Sequence, residues 1–263
     1  SKTEAEKDDI YFASAEQLFL DRQYEKARAV LSDYMKEYPS GRSFDKAEYY
    51  TAECWRLSGD YERARDAYEA LIDKGEGQFV ETSMLRYADL SYTLEHWQEA
   101  YLAYTSLYGK VSSGDTGKAA LVGRMRSAYR AKLYPEAENC AAAVVVSENP
   151  SAALLREAEY VRAKSLLSLS QRDAAFELFR KLSSDKSDAY GAEAEYLLIQ
   201  DRFDRADYKG VEDLVYSFSE SGTSQNYWLA KSFLVLGDAF AEQGDLRQAK
   251  ATFESVRDGY TPQ

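Results

Sequence analysis

The side chains able to do covalent or metal chemistry are few and scattered. The 263 residues hold one histidine, His96, beside Trp97 and Glu99. A metal centre needs several converging ligands, so a single imidazole in this setting reads as a solvent-facing turn residue. Any catalytic dyad built on histidine would have to use His96 itself. Gly114-Asp115-Thr116-Gly117-Lys118-Ala119 has the look of a phosphate-binding loop. That motif needs a glycine five residues before the second glycine and Ser or Thr after the lysine. Ser112 and Ala119 occupy those positions and no strand precedes them, so residues 112–118 are expected to form a loop. The two cysteines, Cys54 and Cys140, lie more than two structural repeats apart and read as small buried apolar residues. Carboxylate pairs such as Glu136/Glu138 and Asp201/Asp204 lack any neighbour that would part their pKa values, which acid–base catalysis requires. Neither metal, cofactor nor catalytic residue is expected, and the protein is read as a non-enzyme.

What the chain holds in quantity is material for non-covalent recognition: 22 Tyr, 11 Phe and 3 Trp among 45 acidic and 33 basic side chains. Their placement follows a repeat. Small apolar anchors recur every 36–38 residues at Ala27, Ala64, Ala100, Ala137, Ala175, Val211 and Ala249. A period in this range marks a stacked-repeat architecture, in which each unit buries its apolar face against its neighbours.

One unit shows how it works. Phe233, Leu236, Gly237 and Phe240 share a face at helical spacing, Gln243-Gly244-Asp245 breaks the helix, and Leu246, Ala249, Phe253 and Val256 form a second apolar stripe. Glycine suits the left-handed position after a helix, and Asp caps the next one. Ser58-Gly59-Asp60 repeats the device. The other turns fall at 21–23, 95–97, 132–134, 170–172 and 204–207. The sixth, with Val211 as its anchor, is expected to be distorted or lengthened. Helices of about 12–16 residues account for the chain, and no sheet is expected. The fold class is therefore all-α, an α-solenoid of about seven helix-turn-helix repeats and about 14 antiparallel helices, right-handed by the family resemblance given below. They form one domain over 1–263, with repeats near 8–44, 45–80, 81–117, 118–155, 156–191, 192–229 and 230–263.

The net charge of −12 argues against nucleic acid or an anionic membrane as partner, since both reward basic clusters. No apolar run reaches the length of a membrane span. The charged run from Glu4 to Asp9 reads as a frayed, solvated helix start. The chain begins at Ser1 without Met and closes at Tyr260-Thr261-Pro262-Gln263 without a polar capping helix, which predicts a piece of a longer protein.

Gly59-Asp60-Tyr61-Glu62-Arg63-Ala64 and Gly237…Phe240…Gly244-Asp245-Leu246…Ala249…Phe253 resemble the tetratricopeptide repeat (TPR). Its signature is a small residue and an aromatic in the first helix, a Gly-Asp-Tyr turn, then Ala, an aromatic and a closing Pro. The period exceeds the family's usual length of about 34. The Tyr38-Pro39-Ser40…Ala47-Glu48-Tyr49 junction that accommodates the excess looks like the bacterial periplasmic branch, which includes outer-membrane-assembly lipoproteins and Tol–Pal coordinator proteins.

That resemblance implies that first helices line a concave, partner-binding surface. With each anchor counted as position twenty, helical phase puts positions five, nine and twelve on one stripe away from the helix–helix core. Position five gives Phe12, Tyr49, Leu85, Val122, Tyr160, Tyr196 and Leu234. Position nine gives Glu16, Glu53, Asp89, Arg126, Lys164, Gln200 and Asp238. Position twelve gives Phe19, Arg56, Tyr92, Tyr129, Leu167, Phe203 and Ala241. The candidate partner-binding residues are thus Phe12, Glu16, Phe19, Tyr49, Glu53, Arg56, Asp89, Tyr92, Arg126, Tyr129, Tyr160, Lys164, Tyr196, Gln200 and Phe203. They form an aromatic wall expected to be acidic toward the N-terminus and basic at the centre. The polar position-nine side chains could not all be buried, which favours an open groove over simple packing. No position-nine Asn occurs, so the co-chaperone subclass that grips a C-terminal carboxylate with Lys and Asn is set aside. The expected function is a non-catalytic scaffold holding a protein or peptide partner in that groove, periplasmic or outer-membrane-associated. The alternatives are a self-assembling structural module and a cytoplasmic adaptor or regulator.

Overall fold

A computed structural model of the chain describes residues 1–262. Fourteen α-helices and no strand occur among the described residues, and they group into two compact units. The first, Ser1–Leu133, holds α1 (Glu4–Leu20), α2 (Tyr24–Glu37), α3 (Phe44–Leu57), α4 (Tyr61–Lys74), α5 (Val80–Thr93), α6 (Trp97–Lys110) and α7 (Gly114–Arg130). Each of these helices packs on its chain neighbour, and α1 also meets α3 and α5 meets α7. The second, Tyr134–Gln263, holds α8 (Tyr134–Val145), α9 (Ala152–Ser168), α10 (Arg172–Leu182), α11 (Ala189–Asp204), α12 (Tyr208–Glu220), α13 (Asn226–Glu242) and α14 (Leu246–Gly259). Here too chain neighbours pack together, and α13 lies as closely on α11 as on α12. No helix among the described residues is long and apolar enough to cross a membrane.

The hairpins share one local cause. After α1, α3, α5, α7, α9, α11 and α13, three residues make the turn. The middle one is left-handed in every case: Arg22, Gly59, Glu95, Lys132, Ser170, Ala206 and Gly244, with φ of 57–85°. The third residue's N–H donates to the carbonyl five residues back at 2.8–3.0 Å, from Gln23 to Leu18 through Asp245 to Phe240. This is the Schellman arrangement, which satisfies carbonyls that a helix end would leave orphaned. Asp60, Asp207 and Asp245 then accept from the backbone N–H three residues on, capping the second helix. The sixth turn is therefore neither distorted nor lengthened. Val211 is as fully buried as the alanine anchors, and Ala206 tolerates the left-handed turn.

Every anchor is buried, from Ala27 at 0% exposed to Ala249 at 4%. Large side chains fill the space around them: Leu31 and Tyr34 around Ala27, Tyr68 and Leu71 around Ala64, Phe176 and Phe179 around Ala175, Val215 and Phe218 around Val211. The chain start is more ordered than its charge suggests. Thr3 and Glu6 form a reciprocal capping box on α1. Asp8 is buried, accepting from the Tyr34 hydroxyl and from the Arg42 backbone N–H at 3.0 Å. It thereby ties α1 to the junction before α3, where a Cβ at Gly41 would strike the Tyr34 oxygen. Burial and the bond to Asp8 push the Tyr34 phenol up to about 12. The run at 114–118 is not a loop: α7 starts at Gly114, and Gly117 is pressed against the Ser112 backbone.

A left-handed L-residue costs about 1–2 kcal/mol that glycine avoids, offset in part by glycine's larger unfolded-state entropy. Ala206→Gly is therefore expected to stabilise the chain by about 0.5–1 kcal/mol and Gly244→Ala to destabilise it by about 1 kcal/mol. Thermal unfolding followed by circular dichroism checks both; equal midpoints for A206G and wild type would contradict the assignment.

Candidate functional site

In the first unit the first helices of the pairs are α1, α3, α5 and α7. The aromatic side chains proposed to face a partner divide into two groups. Phe12 is core: it lies 5.6 Å from the Tyr34 ring and stacks on Tyr50. Phe19 stacks on the same Tyr50 at 4.7 Å, and Tyr49 stacks on Phe79 at 4.5 Å, so both join neighbouring elements while keeping partial exposure. Tyr92 sits edge-on to Trp97 at 4.8 Å, and Tyr129 is half-buried.

The polar column behaves differently from the expectation of an acidic wall. Glu53 is buried, 5% exposed. It accepts from the Tyr68 hydroxyl on α4, from both Arg56 nitrogens that face it on α3, and from Arg86 Nε on α5 at 3.1 Å. Burial alone would push the Glu53 carboxyl up. The bonds from Arg56 and Tyr68 and the charge of Arg86 outweigh it and hold the carboxyl below the usual carboxylate range. The Tyr68 phenol is driven far above its ordinary value by burial and by that carboxylate. Being paired, Glu53 escapes the penalty that seemed to forbid burying a position-nine charge. One pair further on the device recurs: the Tyr104 hydroxyl of α6 donates to Asp89 of α5. Gly123 of α7 leaves room for that ring, for a Cβ there would approach it to 2.5 Å. Glu16 accepts from the Tyr50 hydroxyl at 3.2 Å. Carboxylates at positions sixteen and fifty-three are thus engaged inside the unit. Arg56 and Arg86 keep part of their surface in water, and Arg126 and Asp89 are exposed.

In the second unit the corresponding helices are α9, α11 and α13. Tyr160 lies 4.9 Å from Tyr190, and Lys164 pairs with the buried Glu193 at 3.0 Å. Gln200 donates to Asp204 at 3.0 Å. Phe203 packs edge-on to Tyr208 within the core. Tyr196 faces Trp228, and Lys231 sits over three rings at once: Tyr196 at 4.7 Å, Trp228 at 5.4 Å and Tyr227 at 5.5 Å. The buried acids Glu159 and Glu195 face Lys181 at 2.6 Å and Lys186 at 3.8 Å, and burial raises the Glu195 carboxyl.

Phase alone missed Tyr68, Tyr104, Arg86, Trp228 and Lys231. Tyr68 and Tyr104 each stand fifteen residues after the acid they bind, and that pairing of a tyrosine in a buried stripe with an upstream acid was the available signal. Arg86 lies off the three positions counted. Cys54 is buried, and its thiol is pushed up to about 11 by burial, which suits a packing residue. His96 sits in the third hairpin turn, 3.9 Å from Glu62. Among the described residues no group of three or more His, Cys, Asp or Glu is placed to hold a metal ion.

Helical hairpins joined by identical left-handed turns, with side chains from successive first helices meeting on one face, define a tandem helical-repeat protein. Residues 46–74 and 227–260 match the tetratricopeptide repeat, and the fold is that of tetratricopeptide-repeat proteins. A tetratricopeptide repeat protein from Parabacteroides merdae is similar over 97% of this chain and 94% of its own, with a TM-score of 0.55 and 15% identity. RapI in its apo form is similar over 95% of this chain and 75% of its own, with a TM-score of 0.58 and 16% identity. No curated protein gives a sequence match.

Removing the Glu53 charge leaves two guanidiniums facing each other. Glu53→Gln is expected to destabilise the chain by about 2–3 kcal/mol, less than a fully buried pair because both arginines keep access to water. Tyr68→Phe is expected to cost about 1–2 kcal/mol. Because the folded carboxyl titrates below its unfolded value, its contribution is present above about pH 4.3 and fades as pH falls through the folded value. Urea unfolding of wild type and E53Q at neutral pH and near pH 3 checks this: the gap between them should narrow in acid, and a gap independent of pH would contradict the assignment.

Proposed function

We propose that the protein is a non-catalytic protein–protein interaction module, and that the face formed by α3, α5 and α7 takes an acidic segment of a protein partner. Tetratricopeptide folds commonly mediate such contacts. The observation that carries the reading is the buried Glu53, which fixes Arg56 and Arg86 in place while leaving guanidinium surface in water. Exposed Arg126 adds a third cation beside the exposed carboxylate of Asp89. Guanidiniums already oriented by a hydrogen-bonded carboxylate lose little freedom on gripping a partner's carboxylate. Tyr92 and Tyr129 on the same helices supply amphipathic area at small entropic cost. The overall charge of −12 makes a local basic face a discriminating feature, since it is the exception on an acidic surface. In the second unit, Tyr160, Lys164 and Tyr196 offer a comparable mix of rings and cations.

A cell-envelope setting rests on the likeness of the Tyr38-Pro39-Ser40 junction to the periplasmic branch. Fractionation of the source cells tests it, and recovery with the cytoplasm would remove it.

Selection of random phage-displayed peptides on the immobilised chain tests the recognition chemistry. Enrichment of peptides bearing Asp or Glu beside an apolar or aromatic residue is expected. Their affinity should fall about tenfold or more in Arg86→Ala/Arg126→Ala, with unchanged circular dichroism verifying that loss of the Glu53–Arg86 bond leaves the helices folded. Basic consensus peptides, or acidic ones that bind the double variant equally well, would overturn the reading.

A further inference from the structure

The other side of α5 has the opposite chemistry. By helical phase Met84 and Tyr87 point away from Arg86 and Asp89, and they floor a groove between α4 and α6 with a cavity of about 300 Å³. Ile72 of α4 and Leu102 of α6 wall it. Leu102 is 58% exposed in the middle of its helix. A solitary exposed leucine is ordinary, but this one opens onto a cavity with two further aliphatic side chains. The charged residues that line it are all acidic: Glu69 and Asp73 on α4, Glu99 on α6. Among the described residues Glu69 and Asp73 enter no ion pair or hydrogen bond. Glu99 alone has a cation: Arg65 bonds it and also donates to Ser91 Oγ at 3.0 Å and to the Tyr87 hydroxyl at 3.1 Å. That side chain cross-links α4, α5 and α6, so the groove is preformed.

The fold does not require this composition. At the same positions one pair earlier, between α2 and α4, Lys36 stands for Asp73, Arg63 for Glu99, Asp66 for Leu102 and Glu48 for Met84. In the second unit, between α10 and α12, they are Ser184, Gly210, Asp213 and Glu195. Hairpins of the same geometry thus carry no aliphatic or aromatic side chain at these four positions, and between α2 and α4 the charges there are mixed. The apolar floor and uniformly acidic rim belong to α4–α6 alone among these places.

We infer that the α4–α5–α6 groove is a second docking surface, and that its occupant is a basic amphipathic helix of a partner protein. Such a helix would set one or two aliphatic side chains against Ile72, Met84 and Leu102 and place flanking Lys or Arg beside Glu69 and Asp73. A helix suits a trough between two parallel helices, reading it through side chains spaced three and four apart. The complementary charge gives register, and the aliphatic anchor excludes water from the contact.

Two fluorescein-labelled helical peptides with one apolar face of leucines test this, one carrying lysines on its polar face and its twin carrying glutamates. Anisotropy titration of the full chain is expected to show binding of the lysine peptide and none of its twin. Affinity for the lysine peptide should drop about tenfold or more in Leu102→Glu and again in Glu69→Lys/Asp73→Lys. These exposed positions leave the core intact, which unchanged circular dichroism would verify. Arg86→Ala should leave this binding unaltered, so the result stands apart from the fate of the basic α3–α5–α7 face. Equal affinity for wild type and L102E would mean attraction by net charge alone, and equal affinity for wild type and E69K/D73K would mean binding elsewhere on the chain; either would overturn the inference. So would absence of binding to wild type.

Discussion

Two helices can lie against each other along a hairpin only as closely as the side chain at their crossing point allows, and everything else in this protein depends on keeping that side chain small. Within the two units Ala27, Ala64, Ala100, Ala175, Val211 and Ala249 meet that condition at the start of the second helix of a pair. The three-residue turn before each of them fixes the approach angle through one left-handed residue and one long backbone bond. With the crossing point and turn held constant, the remaining side chains have constant places. That is why a tyrosine four residues after an anchor can reach a carboxylate fifteen residues earlier in two successive pairs.

The turn also explains why the chain tolerates wide sequence variation there. Two of the seven turns use glycine at the left-handed position, and the others use Arg, Glu, Lys, Ser or Ala. The Schellman bonds and buried anchors evidently over-determine the geometry, so the conformational cost of an L-residue is absorbed by packing. A sequence reader who expects glycine sees five weak turns, whereas the structure has seven equivalent ones. The sixth illustrates the error: Val211 and Ala206 both break the signature, yet neither changes the turn.

The fold was legible because its determinants are periodic and local. Anchor spacing, helix stripes and turn residues together give fourteen helices and their order. The surface was legible only in outline. Helical phase identifies which side of a first helix faces away from its own partner, but not what the neighbouring pair brings to that side. Phe12 is covered by Tyr34 and Tyr50, and Glu53 by Arg56, Arg86 and Tyr68. Apart from Glu53–Arg56 within α3, those contacts join residues of different helices, which a column of single positions does not represent. Charge was misread for the same reason. A carboxylate counts as acidic surface in a sequence, but once buried it becomes the fixture that orients two cations toward solvent.

That inversion bears on how a repeat protein acquires specificity without altering its frame. Helix α5 is 14 residues long, and its two sides carry Arg86 with Asp89 on one and Met84 with Tyr87 on the other. The first side is held by Glu53 of α3, the second by Arg65 of α4. Each anchoring residue is itself fixed by a hydrogen bond to a tyrosine, Tyr68 for Glu53 and Tyr87 for Arg65. A tyrosine suits both places because its ring packs while its hydroxyl bonds a charged group. The Tyr68 ring is thereby committed to the core while its oxygen fixes the buried carboxylate that orients Arg56 and Arg86. The charges above the hydroxyls can then differ while the small-residue crossings and turns beneath them stay as they were.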